Sequence, residues 1–178
     1  MTKITDLLDK IVQQQNKICD VFGSDDYPQR AAPISIENLE RLKLSLSTRG
    51  MELPLAYEEF LLINDGITDM STSFHLHGSE FLLSDEYDET LEFLMENGFG
   101  FETDDIQLPL LVGSHEDTLT KVFFNFMHEQ EIDGETVMLE GDPGFITLHN
   151  SFLGFLNCRV EANEKTLQTL NKMKNSPE

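Results

Sequence analysis

Basic residues are scarce in this 178-residue chain: 12 Lys and Arg stand against 33 Asp and Glu, a formal net charge of -21 at pH 7. A surface so short of cations repels DNA, RNA and anionic lipid, whose binding requires groups that neutralise phosphate. Nucleic acid and membrane are therefore not expected as partners. Cysteine is nearly absent as well. Cys19 and Cys158 lie in neither a Cys-x-x-Cys nor a Cys/His ligand spacing, so both are expected as reduced thiols in or near the core. No apolar run reaches the roughly 18 residues that a membrane-spanning helix needs. The N-terminal MTKITDLLDKIVQQQ mixes charge into its apolar periodicity, where a signal peptide would carry an unbroken apolar centre. The expected compartment is the cytoplasm.

The common catalytic signatures are missing too. The chain has no Gly-x-Ser-x-Gly, Walker loop, Gly-x-Gly-x-x-Gly after a strand, or His-Glu-x-x-His. Ser114, His115 and Asp117 are too close in sequence to aim at one another as a base relay requires. His75 and His77 alternate and would share one face of a strand, but no third metal ligand accompanies them. Asp142-Pro143-Gly144 is a turn without the alternating oxygen ligands of a calcium loop. The carboxylates of Glu102, Asp104 and Asp105 sit among so many acids that chance pairs are expected. No catalytic residue, cofactor or metal is assigned.

What the chain does have is a localised charge and a clear change of period. Between Glu58 and Asp142 lie 22 of the acids and a single base, Lys121, while the flanks are neutral. Ile4, Leu7, Leu8, Ile11, Ile18 and Phe22 predict an amphipathic helix over 4–21, ended by Gly23. GSDDYPQRAAPIS reads as a loop. Ser35 caps a second helix with the stripe Ile36, Leu39, Leu42 and Leu46. LPLAYEEFLLINDG (53–66) reads as a third: Pro54 suits its first turn, Tyr57, Phe60, Leu61 and Asn64 share one side, Glu58 and Glu59 face out, and Gly66 closes the last turn. Strands are then expected within 74–83 and at 107–113, 121–127, 136–140 and 145–149, with short helices at 90–98 and 150–157 and a final helix over 161–174 carrying Leu167, Leu170 and Met173. Helices, then turn-linked strands, then helices make an α+β pattern: a mostly antiparallel sheet of about six strands with flanking helices. The length supports a single domain over 1–178.

The punctuated third helix carries a resemblance. Leu53, Pro54, Tyr57, Phe60, Leu61, Asn64 and Gly66, with Asp65 separating the last two, resemble the hallmark of the SUKH superfamily, which includes the yeast cell-wall-assembly regulator and many bacterial immunity proteins. LPLLVG (108–113) resembles its proline-hydrophobic-glycine strand. NSFLGFL (150–156), with Phe152 and Phe155, resembles its closing helix. The likeness covers roughly 35–157, leaving an N-terminal helix and loop over 1–34 and a C-terminal helix and tail over 158–178.

The resemblance implies a non-enzymatic protein whose bacterial relatives bind and neutralise a cognate toxin, often a nuclease or deaminase. The acidic runs agree with a toxin that has a basic face. DEYDE (Asp85, Glu86, Asp88, Glu89), ETDD (Glu102, Asp104, Asp105), HED (Glu116, Asp117) and EQEID (129–133) are expected in or beside loops of the sheet, where some would form one negative, partner-binding face. A regulatory or scaffold module binding endogenous proteins is the alternative that the yeast relative implies. A neighbouring gene for a long secreted toxin would favour immunity, and a solitary gene the scaffold.

Overall fold

The computed structural model describes residues 2–71, 73–96, 110–116, 118, 120–124, 131–132, 135–136, 138–142 and 145–174. Its first helix, α1 (Lys3–Phe22), starts where Thr5 N–H donates to Thr2 Oγ1 at 3.3 Å and stops at Gly23, whose φ of +65° lets its N–H bond back to Cys19 O. Ile4, Leu8, Ile11 and Ile18 are buried, as their spacing predicts. Phe22, the last residue of the helix, is 65% exposed. Both cysteines are free thiols: Cys19 is buried, but Cys158 is exposed rather than in the core. Within the stretch expected to be loop, Gln29–Arg30 forms a short strand, β1.

Ser35 caps α2 (Ile36–Thr48), accepting from Asn38 N–H at 3.2 Å. Leu39, Leu42 and Leu46 are buried. Ile36, the first helical residue, precedes the packed turns and stays 67% exposed. Next comes α3 (Leu55–Ile63), with Pro54 in extended geometry at the cap, where its lack of an N–H leaves no donor stranded. Tyr57, Phe60 and Leu61 are fully buried, Pro54 and Asn64 are buried, and Leu53 packs partly against the core.

Two expectations for this helix need correction. Glu58 and Glu59 do not face out into solvent; both are half-buried, and Glu58 pairs with Lys43 Nζ at 2.7 Å. Nor does Gly66 close the last turn, since Asn64 ends α3 in extended conformation at φ -147°. Gly66, at φ +102°, instead lets two backbones touch. A Cβ there would lie 2.9 Å from Gly78 N, and one on Gly78 would lie 2.1 Å from Asp65 O.

Beyond Gly66 run β2 (Ile67–Ser71) and β3 (Phe74–Leu76). The stretch 79–83, expected as strand, instead opens a short helix, α4 (Ser79–Leu82). Its start is held by Asp65, whose carboxylate accepts Ser79 N–H at 2.6 Å and Ser79 Oγ–H. The helix expected at 90–98 starts earlier, as α5 (Asp85–Glu96), so DEYDE is helical rather than loop. Ser84 Oγ accepts Tyr87 N–H at 3.2 Å, and acids in a first turn complement the positive helix end.

The remaining strands are β4 (Leu110–His115), β5 (Lys121–Phe124), β6 (Glu131–Ile132), β7 (Glu135–Thr136), β8 (Met138–Asp142) and β9 (Phe145–His149). Residues 107–109 and 125–127 of the expected strands lie outside the described residues. The two C-terminal helices are one helix, α6 (Phe152–Lys174). Ser151 Oγ accepts Gly154 N–H at 3.0 Å at its start, and no Gly or Pro interrupts it afterwards. Leu167 and Leu170 are half-buried, and Met173 is 68% exposed.

These elements form an α+β fold. One seven-stranded sheet, in the order β1-β2-β3-β4-β5-β8-β9, is antiparallel throughout, and β6 pairs with β7 in a separate hairpin. Among the described strands, β1, β2 and β6 fall outside the segments where the sequence pattern predicts strands, since none shows an alternating pattern long enough to stand out. An aromatic cluster joins α3, β5 and α6: the Tyr57 ring lies 5.0 Å from Phe60 and 5.5 Å from both Phe124 and Phe152, and Phe155 follows 6.3 Å from Phe152. α1 packs along α6, where Lys10 meets Glu164 at 2.7 Å.

Candidate functional site

Antiparallel register places His75 opposite Ser114, and Ser114 opposite Lys121, so the three share a cross-strand row on one face of the sheet. His77, just past the end of β3, comes close to the same row: its Nε2 lies 3.1 Å from Ser114 Oγ. The His77 ring also stacks on Phe81, with centroids 3.9 Å apart and planes tilted by 24°. Its backbone is fixed from below. Tyr57 Oη donates to His77 O at 2.6 Å, and His77 N–H donates to Val112 O at 2.9 Å.

His75 is held differently. Its Nδ1 accepts Asp69 N–H at 3.1 Å, so a neutral ring carries its proton on Nε2. Nε2 lies 3.1 Å from Glu116 Oε1, close enough for ionic contact though not aligned as a hydrogen bond. Asp69 itself has φ +52°, and burial raises its carboxyl pKa above the ordinary value.

Of these residues, His75 and His77 line one wall of an open groove of about 640 Å³. β1, β2 and β3 contribute Arg30, Thr68 and His75; the β3–α4 corner contributes His77 and Gly78; Glu80 and Phe81 come from α4 and Glu86 from the first turn of α5. Glu116, after β4, completes the rim. Among the described residues, the acids that line the groove are Asp65, Glu80, Glu86 and Glu116. Asp65 is occupied with Ser79, while Glu80, Glu86 and Glu116 are exposed. Among the described residues, the one cation in the lining is Arg30, whose Nη1 lies 2.7 Å from Asp9 Oδ1 of α1 while its buried Nε and Nη2 have no hydrogen-bond partner.

The acidic residues expected to form a partner face are thus sorted by the fold. Glu86 and Glu116, from two runs distant in sequence, meet at the groove. Asp88 lies 2.7 Å from Arg49 Nη2 and is committed to holding α5 against the end of α2. Asp85 and Glu89 are exposed away from the groove lining. Glu102, Asp104, Asp105 and Asp117 lie outside the described residues. Sequence reading missed Glu80 and Asp65 as groove residues, because a single acid in a strand-like or motif segment carries no sign of what it faces.

The Ser114–His77 pair brings a hydroxyl within reach of an imidazole, which is the first requirement of an activated nucleophile. The ring is a poor base, however. Burial pushes the His77 pKa down to about 3, far below the near-neutral value that efficient proton abstraction needs. The pair is better suited to satisfying a buried polar ring. A third histidine lies elsewhere on the sheet, where His149 Nε2 meets Glu140 Oε2 at 3.0 Å and Glu140 also pairs with Arg159, a network that ties α6 to β8 and β9. Among the described residues, no group of three or more His, Cys, Asp or Glu is arranged to hold a metal ion, and no helix is long and apolar enough to cross a membrane. Neither a protein-family model nor a curated protein matches the chain.

Proposed function

We propose that this chain is a SUKH-like immunity protein, acting in the cytoplasm, that neutralises a cognate polymorphic toxin by binding it rather than by chemistry. The observation that carries the reading is the convergence of Glu86 and Glu116, with Glu80, on one groove of an otherwise base-poor stretch. A nuclease toxin presents a basic substrate channel, and an acidic surface that covers it imitates the polyanion. Complementary charge accelerates encounter by roughly 10 to 1000-fold at low salt and disfavours unrelated acidic proteins.

The resemblance of Leu53, Pro54, Tyr57, Phe60, Leu61, Asn64 and Gly66 to the SUKH hallmark supports the family part of the proposal through a structural role. Leu53, Tyr57, Phe60 and Leu61 pack α3 on the core and leave the binding work to the acidic rim. The weak basicity of His77 favours binding over catalysis.

Co-expression with the product of an adjacent toxin gene tests the proposal. Protection of the cell and a stable one-to-one complex are expected, with an association rate that falls steeply between about 50 and 500 mM salt. A chain that neither protects nor forms the complex is not an immunity protein for that toxin, and recovery of endogenous partners in its place would assign the scaffold role.

A further inference from the structure

The groove has a shape and chemistry more specific than negative charge. We propose that it is the receptor for an arginine side chain on an extended basic segment of the partner, a specification that rests on the protein-binding reading above.

At about 640 Å³ the groove lies within the size range of preformed ligand sites and holds a long side chain with part of its backbone. Its rim offers Glu80, Glu86 and Glu116, three exposed carboxylates that approach from α4, α5 and the end of β4. Its own cation, Arg30, is drawn to Asp9 through Nη1 alone and its buried Nε and Nη2 make no hydrogen bond, so an entering guanidinium must rely on the exposed rim carboxylates rather than on Asp9. Burial keeps the His77 ring neutral, so that wall adds no positive charge.

Arginine fits this arrangement better than lysine. The stacked rings of His77 and Phe81 both line the groove, and a planar guanidinium extends such a stack while its fork pairs with a carboxylate; a compact ammonium does neither as well. The walls are also preorganised. Gly66 and Gly78 are in direct backbone contact, Asp65 clamps the start of α4, and Tyr57 holds the His77 carbonyl, so little ordering cost remains when a side chain enters.

The experiment uses the full chain, labelled for NMR, and three peptides: Ac-Ala-Arg-Ala-Arg-Ala-amide, its lysine counterpart and its citrulline counterpart, which keeps the shape of arginine without the charge. The arginine peptide is expected to shift the amides of Gly66, His77 and Gly78. The lysine peptide should bind several-fold more weakly, and the citrulline peptide about tenfold more weakly or worse. Glu80→Gln/Glu86→Gln/Glu116→Gln should abolish the shifts, and Glu86→Gln alone should reduce them. Asp85→Asn/Glu89→Gln/Glu92→Gln, which removes the same charge from exposed positions outside the groove, should leave them intact. Cooperative thermal unfolding at or above the wild-type melting temperature in all variants confirms folding. Equal binding of the citrulline peptide, or equal loss in both triple variants, overturns the groove as an arginine receptor. Protection against the toxin that persists in the groove variant rejects this inference alone, whereas arginine-peptide binding by a chain that protects against nothing rejects the immunity reading alone.

Discussion

At His77 burial has a large consequence for protonation. Its ring lies between Phe81 and Ser114, and desolvation lowers its pKa from 6.5 to about 3 in the folded chain. In the unfolded chain the same ring takes up a proton near pH 6.5. Below that pH the unfolded state binds a proton that the folded state refuses, so the stability is complete above about pH 6.5 and declines as pH falls toward 3. The slope from this one group approaches about 1.4 kcal/mol per pH unit within the window. His77→Gln removes the titration while keeping a polar side chain. Urea unfolding at pH 7.5, 6 and 5 should show the wild type losing stability more steeply than the variant. His149, whose pKa burial also lowers, contributes equally to both proteins and cancels in the comparison. Equal slopes would mean that His77 titrates as it does in solvent.

At the scale of elements, the short helix α3 shows why an element without chemistry is so sharply punctuated. Pro54 and the extended Asn64 set its ends, and between them Tyr57, Phe60 and Leu61 are sealed against β5 and α6. The helix also supports the groove from below, since the Tyr57 hydroxyl bonds the carbonyl of His77. Phe60→Ala should cost roughly 3–5 kcal/mol of stability by emptying a fully buried site. Affinity for the partner per folded molecule should barely change, as a denaturation curve read beside a binding titration would reveal. A comparable loss of affinity in the folded fraction would place Phe60 in the binding machinery. Elsewhere, sequence periodicity located α1, α2 and most of the strands but misread two boundaries. DEYDE looks like a solvated loop because it is acidic, yet acids are favoured in a first turn once Ser84 supplies the cap. α6 runs unbroken through residues 157–160 because nothing there breaks a helix, and because Val160 is buried and Arg159 is pinned to Glu140.

For the whole molecule, a net charge of -21 places like charges in mutual repulsion that the compact state must bear. Raising sodium chloride from about 10 to 500 mM, which shortens the screening length from about 30 Å to a few ångströms, should raise the melting temperature of the free protein. A gain on the order of 1 kcal/mol corresponds to roughly 2–4 °C at this chain length. A melting temperature that falls with salt would show that ion pairs such as Arg30–Asp9 and Lys43–Glu58 outweigh the repulsion. The same salt should slow association with a basic partner, so stability and encounter rate are expected to move in opposite directions. The sequence by itself determined the fold class, the N-terminal helix, the helical character of the C-terminal segment, the packing side of Tyr57, Phe60 and Leu61, and the segment that carries the charge, because local periodicity and composition are properties of neighbours along the chain. Only the tertiary structure decided that Glu80, Glu86 and Glu116 share a groove, that Asp88 is spent on Arg49 and that His77 is stacked and neutral. Those facts depend on register between strands and on which helix covers which edge, distances of a few ångströms between residues separated by tens of positions.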